Sequence, residues 1–226
     1  MKEYNYLFKY IIIGDASVRK TNLLLRFTQN KFTEDYQATI GVEFGAKNVG
    51  IKKKQYRIQI WDTAVSEHFR SITRSYYKNS VCAFIVYDIT NRESFRNISK
   101  WIEDVQDNSP KTITLVLVGN KVDLVDKRQV AYEEGEEFAI KKGILFGETS
   151  AKTGENVEDI FMKSAESIIR KMDENIYNLD SESCGIVRGD KEKMKEFNYK
   201  NNQNQNIELE IKKNLEGNKQ KKGCCS

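Results

Sequence analysis

Short apolar runs alternate with amphipathic stretches from about residue 7 to residue 172, and this alternation predicts the architecture of the chain. Runs with the length and β-branched content of strands cover residues 7–13, 41–49, 55–61, 81–88, 113–118 and 144–148. Helical periodicity covers residues 20–29, 67–77, 93–107, 131–142 and 157–171. Continuously apolar strands separated by helices predict an α/β fold, in which five helices cover both faces of a six-stranded, mostly parallel sheet.

The link between the second and third strands is the exception to the parallel arrangement. It consists of residues 50–54 alone, whereas a crossover between parallel strands needs about a dozen residues or more. We therefore expect an antiparallel hairpin here and a mixed sheet.

The composition changes at about residue 178, where Asn, Gln, Lys and Glu dominate and apolar residues become isolated. Such a segment cannot bury enough apolar surface to offset the entropy lost on ordering. We therefore expect a folded domain over residues 1–175 and a disordered tail over residues 176–226. As a flexible coil, a tail of about 50 residues would span roughly 35–40 Å.

The net charge of the chain is confined to its end. The 226 residues hold 37 Lys and Arg against 33 Asp and Glu, and residues 212–226 alone account for the excess of +4. The neutral body does not fit a nucleic-acid-binding protein, whose basic residues form a face or stripe.

The longest apolar run, residues 81–87, is far shorter than the roughly 20 residues that cross a bilayer, and the first residues do not resemble a signal peptide. One strand Cys and three tail Cys give no disulfide framework, so a reducing cytoplasm is expected.

The loop after the first strand has most of a phosphate-binding motif. The Walker A pattern requires Gly, four residues, Gly, Lys, and Ser or Thr. Gly14, Lys20 and Thr21 fit this pattern, but Arg19 replaces the second Gly. In such a loop, backbone N–H groups hold phosphates, Lys20 would neutralise them, and the Thr21 hydroxyl would ligate Mg²⁺. A Lys-Thr pair at a helix start is common by chance, so the loop alone does not establish the site.

Three further polar clusters follow strands in the order of a guanine-nucleotide site. They are Asp62, then Asn120, Lys121 and Asp123, then Ser150, Ala151 and Lys152. Asp62 lies where a Walker B carboxylate holds the metal, and a carboxylate at Asp123 can accept from guanine N1–H and N2–H₂. All these clusters follow the carboxyl ends of strands, where open α/β sheets bind ligands. The sequence therefore predicts a nucleotide pocket at this edge of the sheet.

Four stretches carry a resemblance to a known family: residues 6–15, 39–46, 69–77 and 148–153. Together with the polar clusters, they make the chain similar to the Rab family of Ras-superfamily small GTPases. The Rab subgroup that works between endoplasmic reticulum and Golgi is the most similar. The likeness covers about residues 4–175, and it implies the P-loop small GTPase fold with GTP or GDP and Mg²⁺ as ligands.

The resemblance also implies roles for individual residues. The implied nucleotide-binding residues are Gly14, Asp15, Ala16, Ser17, Val18, Arg19, Lys20, Thr21, Asn22, Phe32, Thr39, Val65, Asn120, Lys121, Asp123, Ser150, Ala151 and Lys152. The implied metal ligands are Thr21, Thr39 and Asp62. Phe44, Trp61 and Tyr76 match the aromatic triad that Rab proteins present to effectors, although ordinary packing explains each of them equally well.

Three positions depart from the family pattern on the phosphate side. Arg19 stands at a Gly position where backbone approaches phosphate, so we expect reduced affinity unless its side chain swings outward or contacts phosphate itself. Val65 replaces the switch II Gly, and a β-branched residue is poorly suited to the peptide flip toward the γ-phosphate. Ser66 replaces the catalytic Gln that orients the attacking water. With Lys20 as the remaining catalytic group, hydrolysis is expected to be slow or absent.

The end of the chain, Gly-Cys-Cys-Ser, does not match the C-a-a-X prenylation signal. Adjacent Cys224 and Cys225 instead resemble the double-geranylgeranyl signal of Rab proteins. Two lipid chains anchor stably where one does not, and each nearby Lys adds about 1 kcal/mol on an anionic leaflet. The resemblance implies a monomer on the cytoplasmic face of Golgi and endoplasmic reticulum membranes, with a cytosolic pool. The implied partners are Rab effectors, an exchange factor, an escort protein and a GDP-dissociation inhibitor.

Two functions remain open at this point. In the first, the chain is a prenylated GTP switch in vesicle traffic that hydrolyses GTP slowly. In the second, it is a non-hydrolysing pseudo-GTPase that serves as a membrane-tethered scaffold for effectors. The guanine-reading clusters favour the first, and the residues at positions 19, 65 and 66 favour the second.

Overall fold

The computed structural model describes residues 4–34, 39, 42–63 and 76–189. Its strands are β1 (Tyr6–Ile13), β2 (Val42–Ile51), β3 (Lys54–Thr63), β4 (Cys82–Asp88), β5 (Thr114–Asn120), β6 (Leu145–Thr149) and β7 (Ile186–Arg188). Its α-helices are α1 (Lys20–Gln29), α2 (Arg92–Arg96), α3 (Ile98–Asn108), α4 (Tyr132–Lys142) and α5 (Val157–Asp173). Within these residues, no helix has the length and apolar character needed to cross a membrane.

The strands form one mixed sheet in the order β2-β3-β1-β4-β5-β6, with β7 paired to β1. The β2–β3 pair is antiparallel, and the other pairs along this order are parallel. The hairpin turns at Lys52 and Lys53, which both have positive φ angles (48° and 65°), as a two-residue type I′ turn requires. The predicted α/β class and the predicted antiparallel hairpin are both confirmed.

Helices cover both faces of the sheet, because the strands are apolar on both sides. Along β1, Phe8, Tyr10 and Ile12 point into one cluster and Ile11 and Ile13 into the other. The first cluster includes side chains of α1 and α5, and the second includes side chains of α3 and α4. Burying each such side chain stabilises the fold by about 1.5–3 kcal/mol. The loops at the carboxyl ends of the strands are thus held on a rigid base.

Two of the predicted helices differ from the structure or fall outside it. The helix predicted over residues 93–107 is divided at Asn97 into α2 and α3. The side chain of Asn97 does not cap α3 but reaches Asp15 in the loop after β1, a contact that no local pattern indicates. The helix predicted over residues 67–77 lies outside the described residues except for its last two.

The prediction of a disordered tail from residue 176 is wrong for residues 176–189. Here β7 pairs antiparallel with β1, opposing Arg188 to Tyr6 and Ile186 to Phe8. Tyr177, Cys184 and Ile186 are buried. The physical reason lies in the strand lengths, because β4 begins opposite Tyr10 and leaves the start of β1 without a neighbour on that side. β7 supplies the missing backbone partners.

The boundary of the folded domain therefore moves from residue 175 to residue 189. The seventh strand is an addition to the six that the sequence predicts. Residues 190–226, including the predicted lipidation sites Cys224 and Cys225, lie outside the described residues, and their disorder stays a prediction.

Candidate functional site

The site forms where the loops after β1, β5 and β6 meet, and a single amide holds these loops together. Asn120 is completely buried. Its Nδ2 donates to the Val18 carbonyl at 2.9 Å, and its Oδ1 accepts from the Ala151 N–H at 3.1 Å. The Thr149 hydroxyl donates to the same Oδ1 at 3.3 Å. Asn120 thus fixes the loop after β1 against the loop after β6.

The loop between β1 and α1 has the backbone shape of an anion-binding nest. Gly14, Ser17 and Arg19 have positive φ angles of 139°, 66° and 69°. A Cβ on Gly14 would lie 2.2 Å from the Val86 carbonyl oxygen, so only Gly fits at the start of the loop. α1 begins directly after Arg19, whose side chain does not cap the first N–H groups of the helix. Backbone N–H groups and a helix N-terminus therefore converge where phosphates would lie.

Lys20 is held at this loop by its own backbone. Its Nζ donates to the carbonyls of Gly14 at 2.9 Å and Asp15 at 3.0 Å. An ammonium group has three donors, so a further N–H remains for a ligand. Burial lowers the pKa of Lys20, and the nearby carboxylates of Asp62 and Asp15 act in the opposite direction. The position and charge of Lys20 suit a group that neutralises phosphate.

The predicted metal ligands lie together at the start of α1. The Thr21 hydroxyl donates to Asp62 Oδ2 and lies 2.9 Å from the Thr39 hydroxyl oxygen. Asp62 is completely buried, and its Oδ1 has no hydrogen-bond partner among the described residues. Burial raises the pKa of Asp62 to about 6, and Lys20 and Thr21 oppose this shift.

This set of oxygens fits a hard divalent cation. Mg²⁺ prefers oxygen ligands and usually takes only one or two carboxylates, with ligand phosphates completing its shell. An unpaired buried carboxylate oxygen is costly, and a cation beside it would remove that cost. The described part of the chain has no cluster of three or more His, Cys, Asp or Glu residues that would suit another kind of metal site.

A pocket of about 330 Å³ opens beside the loop. Its lining residues are Arg19, Phe32, Glu34, Asn120, Lys121, Asp123, Leu124, Ala151 and Lys152. The Ser150 hydroxyl donates to Asp123 Oδ1 at 2.6 Å, which orients that carboxylate. Lys121 Nζ lies 2.5 Å from Asp88 Oδ2, so this ion pair holds the Lys121 stem as a wall of the pocket.

Comparison with protein families agrees with this geometry. The Ras family matches residues 9–170, which is more than half of the chain. The chain belongs to the Ras family. Its mixed sheet with helices on both faces is the P-loop small GTPase fold, and it is a small GTP-binding protein whose ligand is a guanine nucleotide. The Ras-family match runs from β1 into α5, and β7 lies beyond it.

In this Ras-family domain, the side chain of Arg19 turns outward, which was one of the outcomes that the sequence left open. Its Nη2 donates to the Glu34 carbonyl at 3.0 Å, and its Nη1 lies 3.5 Å from the Thr33 carbonyl. Its guanidinium carbon lies 6.0 Å from the centre of the Phe32 ring. Arg19 therefore joins the phosphate loop to the segment after α1.

Several positioning residues have no signal in the sequence motifs. Asp15 accepts from Asn97 Nδ2 and Trp101 Nε1, both at 2.8 Å. Arg26 donates to the carbonyls of Ala151 at 2.9 Å and Lys152 at 2.6 Å. Asn97 and Trp101 are four residues apart and so share a helix face, which was the only available hint. Two wall residues of the pocket, Glu34 and Leu124, were also missed.

The predicted effector residues contact one another but differ in exposure. The ring centres of Phe44 and Trp61 are 4.8 Å apart, as are those of Trp61 and Tyr76. Phe44 is 40% exposed, whereas Trp61 and Tyr76 are buried. Of these three aromatic rings, Phe44 alone presents a large exposed face. Val65 and Ser66 lie outside the described residues, so the prediction of impaired hydrolysis stays a prediction.

Proposed function

We propose that this Ras-family protein is a Rab-type switch in vesicle traffic between endoplasmic reticulum and Golgi. It binds GTP or GDP together with Mg²⁺ and hydrolyses GTP slowly. The observation that carries the nucleotide and metal binding in this proposal is the convergence of Thr21, Thr39 and Asp62 beside the ammonium group of Lys20.

This convergence gives the site a way to sense the nucleotide. Thr21 lies on helix α1, whereas Thr39 lies in the segment that follows this helix. Thr21 and Asp62 would hold a Mg²⁺, which would supply positive charge to neutralise the phosphates. The Thr39 hydroxyl lies 2.9 Å from the Thr21 hydroxyl, so Thr39 would be placed to join Thr21 and Asp62 in holding that metal.

Base recognition assigns guanine rather than adenine to the pocket. Asp123 accepts from the Ser150 hydroxyl with one oxygen, and its remaining acceptor capacity suits the two N–H donors of guanine. Adenine offers a different pattern and would leave the carboxylate unpaired, which is the kind of mismatch that a polar pocket rejects strongly.

The slow hydrolysis in this proposal comes from two substitutions. Ser66 stands at the position of the water-orienting Gln, and Val65 stands at the Gly whose N–H faces the γ-phosphate in the family. Lys20 retains its contacts to the loop and supplies charge. Charge stabilisation without a positioned water supports binding far better than turnover.

The Rab assignment and the membrane association rest on the family resemblance and on the end of the chain. Phe44, with Trp61 and Tyr76 behind it, offers an aromatic surface for Rab effectors. Geranylgeranyl groups on Cys224 and Cys225, beside the basic residues of the tip, anchor the protein to the cytoplasmic face of Golgi and endoplasmic reticulum membranes. An exchange factor, an escort protein and a GDP-dissociation inhibitor are the corresponding partners, and the last of these maintains a cytosolic pool.

A second candidate function is a scaffold that keeps the fold and the effector surface without turnover. The observation that favours it is Arg19, a long cation at a Gly position of the phosphate loop. The switch predicts that the protein hydrolyses GTP slowly, whereas the scaffold predicts no hydrolysis.

Nucleotide binding is tested with a fluorescent GTP analogue, with Mg²⁺ and with ATP as competitor. We expect saturable binding that GTP displaces and ATP does not. Asp123→Ala should abolish the guanine preference, whereas Asp126→Ala, an equal charge change at an exposed neighbouring residue, should leave it intact. No saturable binding at high micromolar nucleotide would refute the switch.

Hydrolysis is tested by single-turnover kinetics. The triple variant Arg19→Gly, Val65→Gly, Ser66→Gln should hydrolyse GTP faster than the wild type. Equal rates would show that these positions are assigned wrongly, and no turnover by the wild type despite tight binding would favour the scaffold.

Mass spectrometry of protein from eukaryotic cells tests lipidation, which Cys224→Ser with Cys225→Ser should remove and Cys184→Ser should not.

A further inference from the structure

Arg19 connects two walls of the nucleotide pocket. Its backbone belongs to the phosphate loop, and its guanidinium group contacts the carbonyls of Glu34 and Thr33 on the segment after α1. The Phe32 ring lies beneath it, 6.0 Å from the guanidinium carbon. Arg19, Phe32 and Glu34 all line the pocket, so this connection forms part of its wall.

The segment that Arg19 grips is fixed from two further directions. Asn22 Oδ1, on α1, accepts from the Thr33 N–H at 2.9 Å and so holds this part of the backbone in place. Lys152, on the opposite wall, has its Nζ 3.3 Å from Glu34 Oε1. Glu34 therefore lies between two cations, one bound to its carbonyl and the other paired with its carboxylate.

The backbone of Arg19 indicates that this contact has a role. Its φ of 69° lies in the left-handed region, which glycine adopts without strain and other residues adopt rarely. The guanidinium contacts offset part of that strain. Ala at this position would keep the strained backbone and lack the guanidinium contacts. Gly would relieve the strain but would also lack these contacts.

We propose that Arg19 is a clamp that closes the pocket over a bound guanine nucleotide and slows its release. The inference rests on the guanine-nucleotide binding of the proposed function, but not on its hydrolysis or membrane steps. The clamp joins the phosphate loop to the segment that contributes Phe32 to the pocket wall. Breaking this connection should therefore speed the release of the nucleotide.

The two cations should contribute unequally. Arg19 makes charge-assisted hydrogen bonds to backbone carbonyls, so Arg19→Ala should speed release about five- to tenfold. The pair between Lys152 and Glu34 is solvent-exposed, with side chains 55% and 79% exposed. Glu34→Gln removes this pair but keeps the carbonyl that Arg19 binds, and should change release by about twofold at most.

The test measures dissociation of a fluorescent GDP analogue from the full chain, chased with excess unlabelled GDP in Mg²⁺. We expect Arg19→Ala and Arg19→Gly to release faster than the wild type, with Glu34→Gln close to it. Arg57→Ala is the matched control, because Arg57 lies on β3 opposite Leu7, at the other end of the sheet.

Each result distinguishes the clamp from the rest of the proposed function. Saturable binding with unchanged release in the Arg19 variants would overturn the clamp alone. Slower release or tighter binding in those variants would overturn it too, because Arg19 would then be an obstruction. The absence of binding by the wild type and by every variant would overturn both proposals.

Discussion

The indole N–H of Trp101 lies 2.8 Å from Asp15 Oδ1, which ties helix α3 to the phosphate loop. Asn97 Nδ2 donates to the other oxygen of the same carboxylate, also at 2.8 Å. Two donors thus hold the Asp15 carboxylate against the start of α3. This contact couples the loop to the face of the sheet that α3 covers.

Replacing Trp101 should loosen this connection. In Trp101→Phe the Asp15 carboxylate loses one of its two donors, so we expect the free energy of unfolding to fall by about 1.5–3 kcal/mol. Urea denaturation followed by circular dichroism measures the change. Tyr132→Phe, which removes only a weak exposed contact to Glu136, is the control and should change stability little. Equal losses in the two variants would contradict the importance of the Trp101 contact.

Asp62→Asn should have opposite effects with and without metal. Without Mg²⁺, the variant removes a buried carboxylate with an unpaired oxygen, so we expect a gain of about 1–3 kcal/mol in stability. With Mg²⁺ and GDP, the wild type should be stabilised strongly and the variant hardly at all. Thermal unfolding with and without Mg²⁺ measures both effects, and Asp107→Asn on the surface of α3 is the control. A variant that Mg²⁺ stabilises as much as the wild type would exclude Asp62 from the metal site.

Lys9 makes stability depend on pH. Burial lowers its pKa from 10.5 to about 8, and its Nζ lies over the rings of Trp61 and Tyr76 at 5.5 Å and 5.1 Å from their centres. Between pH 8 and 10.5 the unfolded chain therefore binds more protons than the folded one, so this group makes stability rise with pH. Below pH 8 the full cost of the buried charge is present.

Lys9→Met should remove that dependence. We expect the variant to be more stable than the wild type at neutral pH, by up to about 3 kcal/mol, with a difference that shrinks above pH 8. Urea unfolding at about pH 7 and about pH 9.5 measures it. Lys100→Met, at an exposed position of α3, should show no such trend. A loss of stability at neutral pH would mean that the ring contacts outweigh the burial of the charge.

β7 should protect a thiol. Cys184 is buried beside this strand, and burial raises its pKa, so it should react slowly with thiol reagents. Ile186→Ala removes a buried side chain of β7, which costs about 2–5 kcal/mol in a well-packed core, and should expose Cys184. Labelling rates in a Cys224→Ser, Cys225→Ser background measure this effect. Arg188→Ala, at the exposed end of β7, is the control.

Cys82 provides an internal reference in the same experiment. It lies on β4 and is completely buried, so it should stay protected until the whole domain unfolds. Joint labelling of Cys82 and Cys184 in Ile186→Ala would show global destabilisation instead of the release of β7.

The sequence predicted those parts of the fold and site that depend on short-range patterns. The central strands are apolar on both faces, so their runs stand out, and the polar clusters at Lys20, Asp62 and Asn120 lie at or just beyond the carboxyl ends of strands. The direction of the Arg19 side chain and the place of Glu34 in the pocket wall depend on how the segment after α1 folds back. That arrangement is set by contacts such as Asn22 to Thr33, which span eleven positions and leave no periodic signal.

β7 was missed for a related reason. Ile186 and Val187 are two apolar residues in a polar surrounding, too few to indicate a strand. Their order comes from pairing with β1, almost the whole domain away in the chain. The composition of residues 176–226 as a whole indicated disorder. The start of β1, which β4 leaves unpaired, needs only a few of these residues to form a strand beside it.

The end of β7 places the start of the tail on the side of the domain away from the nucleotide pocket. The Gly189 N–H donates to the Asn5 carbonyl at 2.8 Å, so the incoming and outgoing ends of the domain lie side by side. Both are at the amino end of β1, whereas the pocket lies beyond its carboxyl end. A label fused before residue 4 would therefore crowd the root of the tail and leave the nucleotide unobstructed. The tail therefore leaves the domain at the end opposite the nucleotide pocket.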